Sequence, residues 1–98
     1  MQINYNREAE KLTVLPEGRI DTLTAPEFEK KIAELLEGVT ELELDMAGVD
    51  YVSSAGLRVI LKAQKVMFRQ GKMKLTHVNE TVMEVFEITG FDNILNID

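Results

Sequence analysis

Between Thr40 and Met46 the chain reads TELELDM, with Leu42, Leu44 and Met46 on one side and Glu41, Glu43 and Asp45 on the other. Strict period two makes this a strand with one apolar and one polar face. Helical periods flank it on both sides, so the chain must cross from strand to strand, which calls for right-handed crossovers and parallel pairing. A strand covered by helices on both faces would be apolar throughout. One face of the sheet is therefore expected to be thinly covered.

The remaining elements follow from period and punctuation. Residues 2–6 (QINYN) suit a half-buried strand, Arg7-Glu8-Ala9-Glu10 a polar turn, and Leu12 and Val14 a second strand ended by Pro16 and Gly18. This hairpin lacks the Asn-Gly signal. Thr24-Ala25-Pro26-Glu27 predicts a helix start, in which Thr24 accepts from the Glu27 amide and the Glu27 carboxylate reaches back to the Thr24 amide. Pro26 costs nothing there, because first-turn amides have no helical partner. Phe28, Ile32, Leu35 and Leu36 recur at helical spacing up to Gly38. A second helix is expected from about Ser54 to Gln70, with Leu57, Ile60, Leu61, Ala63, Val66, Met67 and Phe68 inward and Gly71 closing it. Met73 and Leu75 mark another strand. Asn79 caps a third helix running to Thr89, with Val82, Val85, Phe86 and Ile88 inward and Gly90 as its stop. Ile94, Leu95 and Ile97 suit a short last strand.

The predicted order is β-β-α-β-α-β-α, with the short strand at the end. This is an α/β fold: an N-terminal hairpin, then β-α repeats, forming a small mixed sheet with about three to four helices packed mainly on one face. The 98 residues are expected to form one domain, 1–98. A chain of this size buries roughly two-thirds of its unfolded surface, enough for one core.

Composition narrows the function classes. There is no cysteine, which excludes thiolate metal sites, iron–sulfur clusters and cysteine nucleophiles and fits a reducing cytoplasm. The single histidine, His77, excludes sites that need two imidazoles. No apolar run approaches a membrane span, and Met1-Gln2-Ile3-Asn4 carries no export signal, so a cytoplasmic protein without membrane insertion is expected. The net charge of −6 is unevenly spread: residues 51–78 hold Arg58, Lys62, Lys65, Arg69, Lys72 and Lys74 and no acid, while all 17 acids lie elsewhere. Overall acidity argues against direct nucleic-acid binding, which depends on phosphate neutralisation. The basic segment keeps a directed electrostatic contact open.

The segment Asp50-Tyr51-Val52-Ser53-Ser54-Ala55-Gly56-Leu57-Arg58 joins a strand to the start of the basic helix. Its two hydroxyls sit where free amides and the helix dipole favour negative charge, so a phosphate there meets a favourable field. Arg58, four residues after Ser54, shares its helix face and begins a basic stripe with Lys62, Lys65 and Arg69. Glu80, Glu84 and Glu87 form an acidic stripe on the third helix. The plainer reading makes Ser53 or Ser54 a helix cap, Gly56 a close-packing residue and both stripes solvated faces. No P-loop or calcium loop is present, and a triad of Ser54, His77 and Asp21 has no nucleophile elbow to support it.

At this point the sequence resembles the STAS family, named for sulphate transporters and anti-sigma factor antagonists. The resemblance rests on Gly18-Arg19-Ile20-Asp21 with Thr24-Ala25-Pro26-Glu27, Leu42-Glu43-Leu44-Asp45 with Gly48-Val49, Tyr51 through Leu61, and Val85 through Phe91. It implies a phosphorylation-controlled binding module that needs no cofactor and performs no catalysis. Unphosphorylated, such a module binds an anti-sigma factor that is also a serine kinase of the GHKL type, freeing the sigma factor. The kinase brings ATP and magnesium and phosphorylates the module; a PP2C-like phosphatase resets it. The family's Asp-Ser-[Ser/Thr]-Gly-Leu-Gly pattern falls on Ser53-Ser54-Ala55-Gly56-Leu57-Arg58, which makes Ser54 the implied phosphorylation site. Ser53 replaces the acidic residue and is a rival acceptor; Arg58 replaces the second glycine and either clamps the phosphate or meets an acidic partner. Asp21 matches the acidic residue beside the serine. The implied partner-binding set is Asp21, Thr22, Ser53, Ser54, Gly56, Arg58 and Lys62. The alternatives are an accessory subunit binding the ATPase of an ABC-type transporter, and a small-ligand or nucleotide binder.

Overall fold

The computed structural model describes residues 1–98. Strand β1 (Gln2–Glu8) pairs antiparallel with β2 (Lys11–Ile20) around a two-residue turn in which Ala9 takes a positive φ of 54°. Arg7 holds this turn without glycine, donating from Nε to the Ala9 carbonyl at 3.0 Å.

Pro16 and Gly18 do not end the second strand; they bend it. The first half of β2 pairs parallel with β3 (Glu41–Asp45) through Leu12↔Leu42 and Val14↔Leu44. Pro16 has no amide to extend that ladder. Beyond it, Gly18 adopts a φ of 94° and the register shifts between Gly18 and Arg19. The second half of β2 then pairs parallel with β4 (Val49–Val52), a strand not anticipated from the sequence. Strand β5 (Lys72–Thr76) pairs parallel with β3, giving the order β1-β2-β3-β5 with β4 beside the far half of β2.

The helices are α1 (Ala25–Leu35), α2 (Ser54–Gln70) and α3 (Glu80–Thr89). The short last strand reduces to a single bridge, Leu75↔Ile97, after a 3-10 turn over Phe91–Asn93. The core joins Leu12, Val14, Leu42, Leu44, Met73 and Leu75 of the sheet to Phe28, Ile60, Met67, Val82 and Phe86 of the helices. The opposite sheet face carries the registered polar rows Lys11–Glu41–Lys72 and Thr13–Glu43–Lys74, as the period of the third strand requires. No helix is long and apolar enough to cross a membrane.

Three side chains expected inward are not. Phe68 is 67% exposed, Ile88 is 85% exposed, and Val66 lies at the surface. Each sits on the flank of an apolar arc wider than the surface the helix actually covers. Gln64 is buried in their stead on α2.

Candidate functional site

The pairing of β2 with β4 places the two candidate loops side by side. Ile20 registers with Val52, and the Ser53 amide donates to the Ile20 carbonyl at 2.8 Å. Asp21 and Ser53, 32 positions apart in the chain, therefore leave adjacent strand ends. Both α1 and α2 start at this edge.

Gly56 makes that convergence possible. A Cβ there would lie 2.7 Å from the Ile20 carbonyl oxygen and 2.9 Å from Val52 Cγ1. Gly56, one of the residues expected to bind a partner, is itself buried and lies beneath the surface of this edge.

The two serines differ. Ser53 is the N-cap of α2, extended at ψ 177°, and its Oγ accepts from the Gly56 amide over a long 3.4 Å. Ser54 is exposed at the first helical position. A phosphate on Ser54 would face the unpaired amides of the first turn, which favour negative charge.

The Asp21 loop is tied by its own carboxylate. Asp21 Oδ1 accepts from the amides of Leu23 at 3.0 Å and Thr24 at 3.1 Å. The Thr24 hydroxyl accepts from the Asp21 amide at 2.9 Å and donates to the Arg19 carbonyl at 2.7 Å. The capping box expected at Thr24 is therefore not formed, because this hydroxyl is committed to the loop. The Asp21 carboxyl titrates below the ordinary range, chiefly because the Thr24 amide stabilises its ionised form. Leu23 is left 88% exposed at the loop tip, beside the exposed Thr22; no periodicity marked it in the sequence.

Two cations lie on the elements that meet here, Arg19 on β2 and Arg58 on α2. Arg58 is exposed and enters none of the chain's ion pairs. Arg19, which registers with Tyr51, lies 4.6 Å over the Tyr51 ring, with its Nε 3.6 Å from Asp21 Oδ2. Lys62 is not free: its Nζ is 2.8 Å from Glu29 Oε1 of α1. The triad geometry is absent, because His77 pairs with Asp45 at 3.0 Å while Asp21 bonds its own loop. None of Asp21, Ser53 and Ser54 lines the groove between α1 and α2, which is walled by Ile32, Leu36, Val59, Ala63 and Val66. At this edge Ser54 and Thr22 are exposed, while Asp21 and Ser53 are half-buried.

The chain is thus a small mixed α/β domain whose two candidate loops meet at one edge of the sheet. The chain belongs to the STAS family, whose domain model matches residues 2–98. It is similar to the anti-sigma-B factor antagonist of Bacillus subtilis, 33% identical over 81 residues, covering 82% of this chain and 74% of the relative. An anti-sigma factor antagonist from Mycobacterium paratuberculosis shares the fold with a TM-score of 0.87 at 20% identity, over 98% of this chain and 83% of the other. The anti-sigma factor antagonist SpoIIAA also shares it. Its unphosphorylated form has a TM-score of 0.83 at 17% identity, over 99% of this chain and 88% of the other. Its phosphorylated form has a TM-score of 0.75 at 16% identity, over 99% and 91%.

Proposed function

We propose that this chain is an anti-sigma factor antagonist whose docking is switched by phosphorylation of Ser54. Unphosphorylated, it binds an anti-sigma factor that is a serine kinase of the GHKL type and so releases the sigma factor. Phosphorylation blocks that contact, and a PP2C-like phosphatase restores it. The chain acts in the cytoplasm and lends its surface, while the partner supplies ATP and magnesium.

The observation that carries this reading is the exposed Ser54 at the first position of α2, beside a carboxylate-tied Asp21 loop. A phosphoryl group there adds about −1.5 to −2 charges and suits the helix end. The fold thus has no cause to rearrange; the added charge and bulk act on the partner. A like-charged or desolvated group inside an interface costs several kcal/mol, and about 1.4 kcal/mol already changes affinity tenfold. The names of the relatives support the antagonist role and give the transporter alternative no support.

The test is phosphosite mapping by mass spectrometry after incubation with the kinase anti-sigma factor of the same genome and ATP. One phosphate on Ser54, retained in Ser53→Ala and absent from Ser54→Ala, is the expected result. Transfer to Ser53 would reassign the acceptor, and no transfer would remove the switch.

A further inference from the structure

The surface of α2 next to Ser54 carries a pattern that a phosphoacceptor alone does not require. Ser54, Leu61 and Phe68 recur every seven residues, and Arg58 and Lys65 fall four residues after the first two. This 4-3-4-3 spacing places all five on one seam along the helix. Ser54, Arg58 and Lys65 are exposed, Leu61 is half-buried and Phe68 is 67% exposed. Phe68 lies about 20 Å from Ser54 along the helix axis, at roughly 1.5 Å per residue.

The charges beside the seam are also unspent. Of the four cations on this face, only Lys62 is neutralised within the chain, by Glu29. Arg58, Lys65 and Arg69 enter none of its ion pairs. The exposed Phe68 ring thus lies among cations that nothing in the chain neutralises, although its net charge is −6. Aromatic anchors framed by polar groups are the composition of interface hot spots.

We infer that the α2 seam from Ser54 to Phe68 is a docking surface for an acidic helix of the anti-sigma factor, with Leu61 and Phe68 meeting its apolar ridge and Arg58, Lys65 and Arg69 its carboxylates. This rests on the proposed antagonist role and extends it. Ser54 lies at one end of the footprint and Phe68 anchors the other. The phosphate then acts locally on a contact whose affinity is supplied largely elsewhere on the same helix.

The test measures affinity for the purified serine-kinase anti-sigma factor of the same genome, at low and high salt, for wild type, Phe68→Asp, Lys65→Glu and Ser54→Asp. Both seam positions are exposed, so the variants should keep the wild-type circular dichroism and melting temperature. Phe68→Asp is expected to weaken binding at least about tenfold at either salt. Lys65→Glu is expected to weaken it strongly at low salt and little at high salt. Wild-type affinity in both seam variants, with Ser54→Asp unable to bind, overturns the seam and leaves the phosphoswitch standing. Wild-type affinity in Ser54→Asp, with Phe68→Asp unable to bind, keeps the seam and removes the phosphoswitch. No binding by the wild-type chain removes both. The outer face of α3, with Glu80, Glu84, Glu87 and the 85% exposed Ile88, has the complementary chemistry. Sedimentation of the isolated chain therefore runs alongside: self-association abolished by Phe68→Asp would give the seam to a second copy and overturn the partner assignment.

Discussion

Gly56 of α2 packs so tightly on Ile20 of β2 that a methyl group on it would sit 2.7 Å from the Ile20 carbonyl oxygen. The same carbonyl receives the Ser53 amide at 2.8 Å, so one backbone atom fixes both the helix start and the strand end beside it. The nearness of the Asp21 loop to the serines is a consequence of this contact.

Gly56→Ala should therefore destabilise the fold by about 1–3 kcal/mol, the range for overpacking a well-filled core. In a chain of this size, that lowers the melting temperature by about 4–8 °C per kcal/mol. Calorimetry checks it, and an unchanged melting temperature would show that α2 can lift away from β2 without cost.

Asp21 acts through its loop. Its folded-state pKa is depressed, so its contribution to stability is present above the unfolded carboxylate value of about 3.9 and is lost as pH falls through the lower folded value. Asp21→Asn should be less stable than wild type at pH 7, and the difference should shrink as pH falls below about 4. Denaturant titrations across that range test it; a gap independent of pH would show that carboxylate charge does not hold the loop.

Leu23 is 88% exposed, so Leu23→Ala should leave stability within about 0.5 kcal/mol of wild type. Partner affinity should nevertheless fall, because the ordered loop presents this side chain at the sheet edge where α2 begins. A binding titration paired with a thermal melt separates the two effects, and unchanged affinity would restrict the interface to the α2 side.

Ser53→Ala removes a cap bond that is already long at 3.4 Å. Its cost should fall at the low end of the N-cap range, about 0.5 kcal/mol. A loss above about 2 kcal/mol in denaturant unfolding would mean that Ser53 has a larger structural share than its hydrogen bond indicates.

The elements legible in the sequence are those whose signal is local. TELELDM gave β3 its two faces, and Asn79, whose side chain accepts from the Val82 amide at 2.8 Å, marked the start of α3. Strand β4 was hidden because four residues carry little period, and its partner is the half of β2 beyond a proline and a bulge. The Thr24 capping box failed because Asp21, three residues earlier, offers the same hydroxyl a competing turn. At the site, Ser54 and Arg58 stood out by type and spacing, whereas Asp21 was singled out only by the family resemblance. Leu23 was not, because exposure at a loop tip leaves no trace in periodicity. Nor was the Lys62–Glu29 pair, which depends on how α1 lies against α2.

The most direct measurement is the affinity of one preparation of the chain, unphosphorylated and fully phosphorylated on Ser54, for its kinase anti-sigma factor by titration calorimetry. Phosphorylation should weaken binding by at least about tenfold, or 1.4 kcal/mol, while the circular dichroism and melting profile of the free chain stay the same. Equal affinities would contradict the account, as would a phosphorylated chain that lost binding only by unfolding.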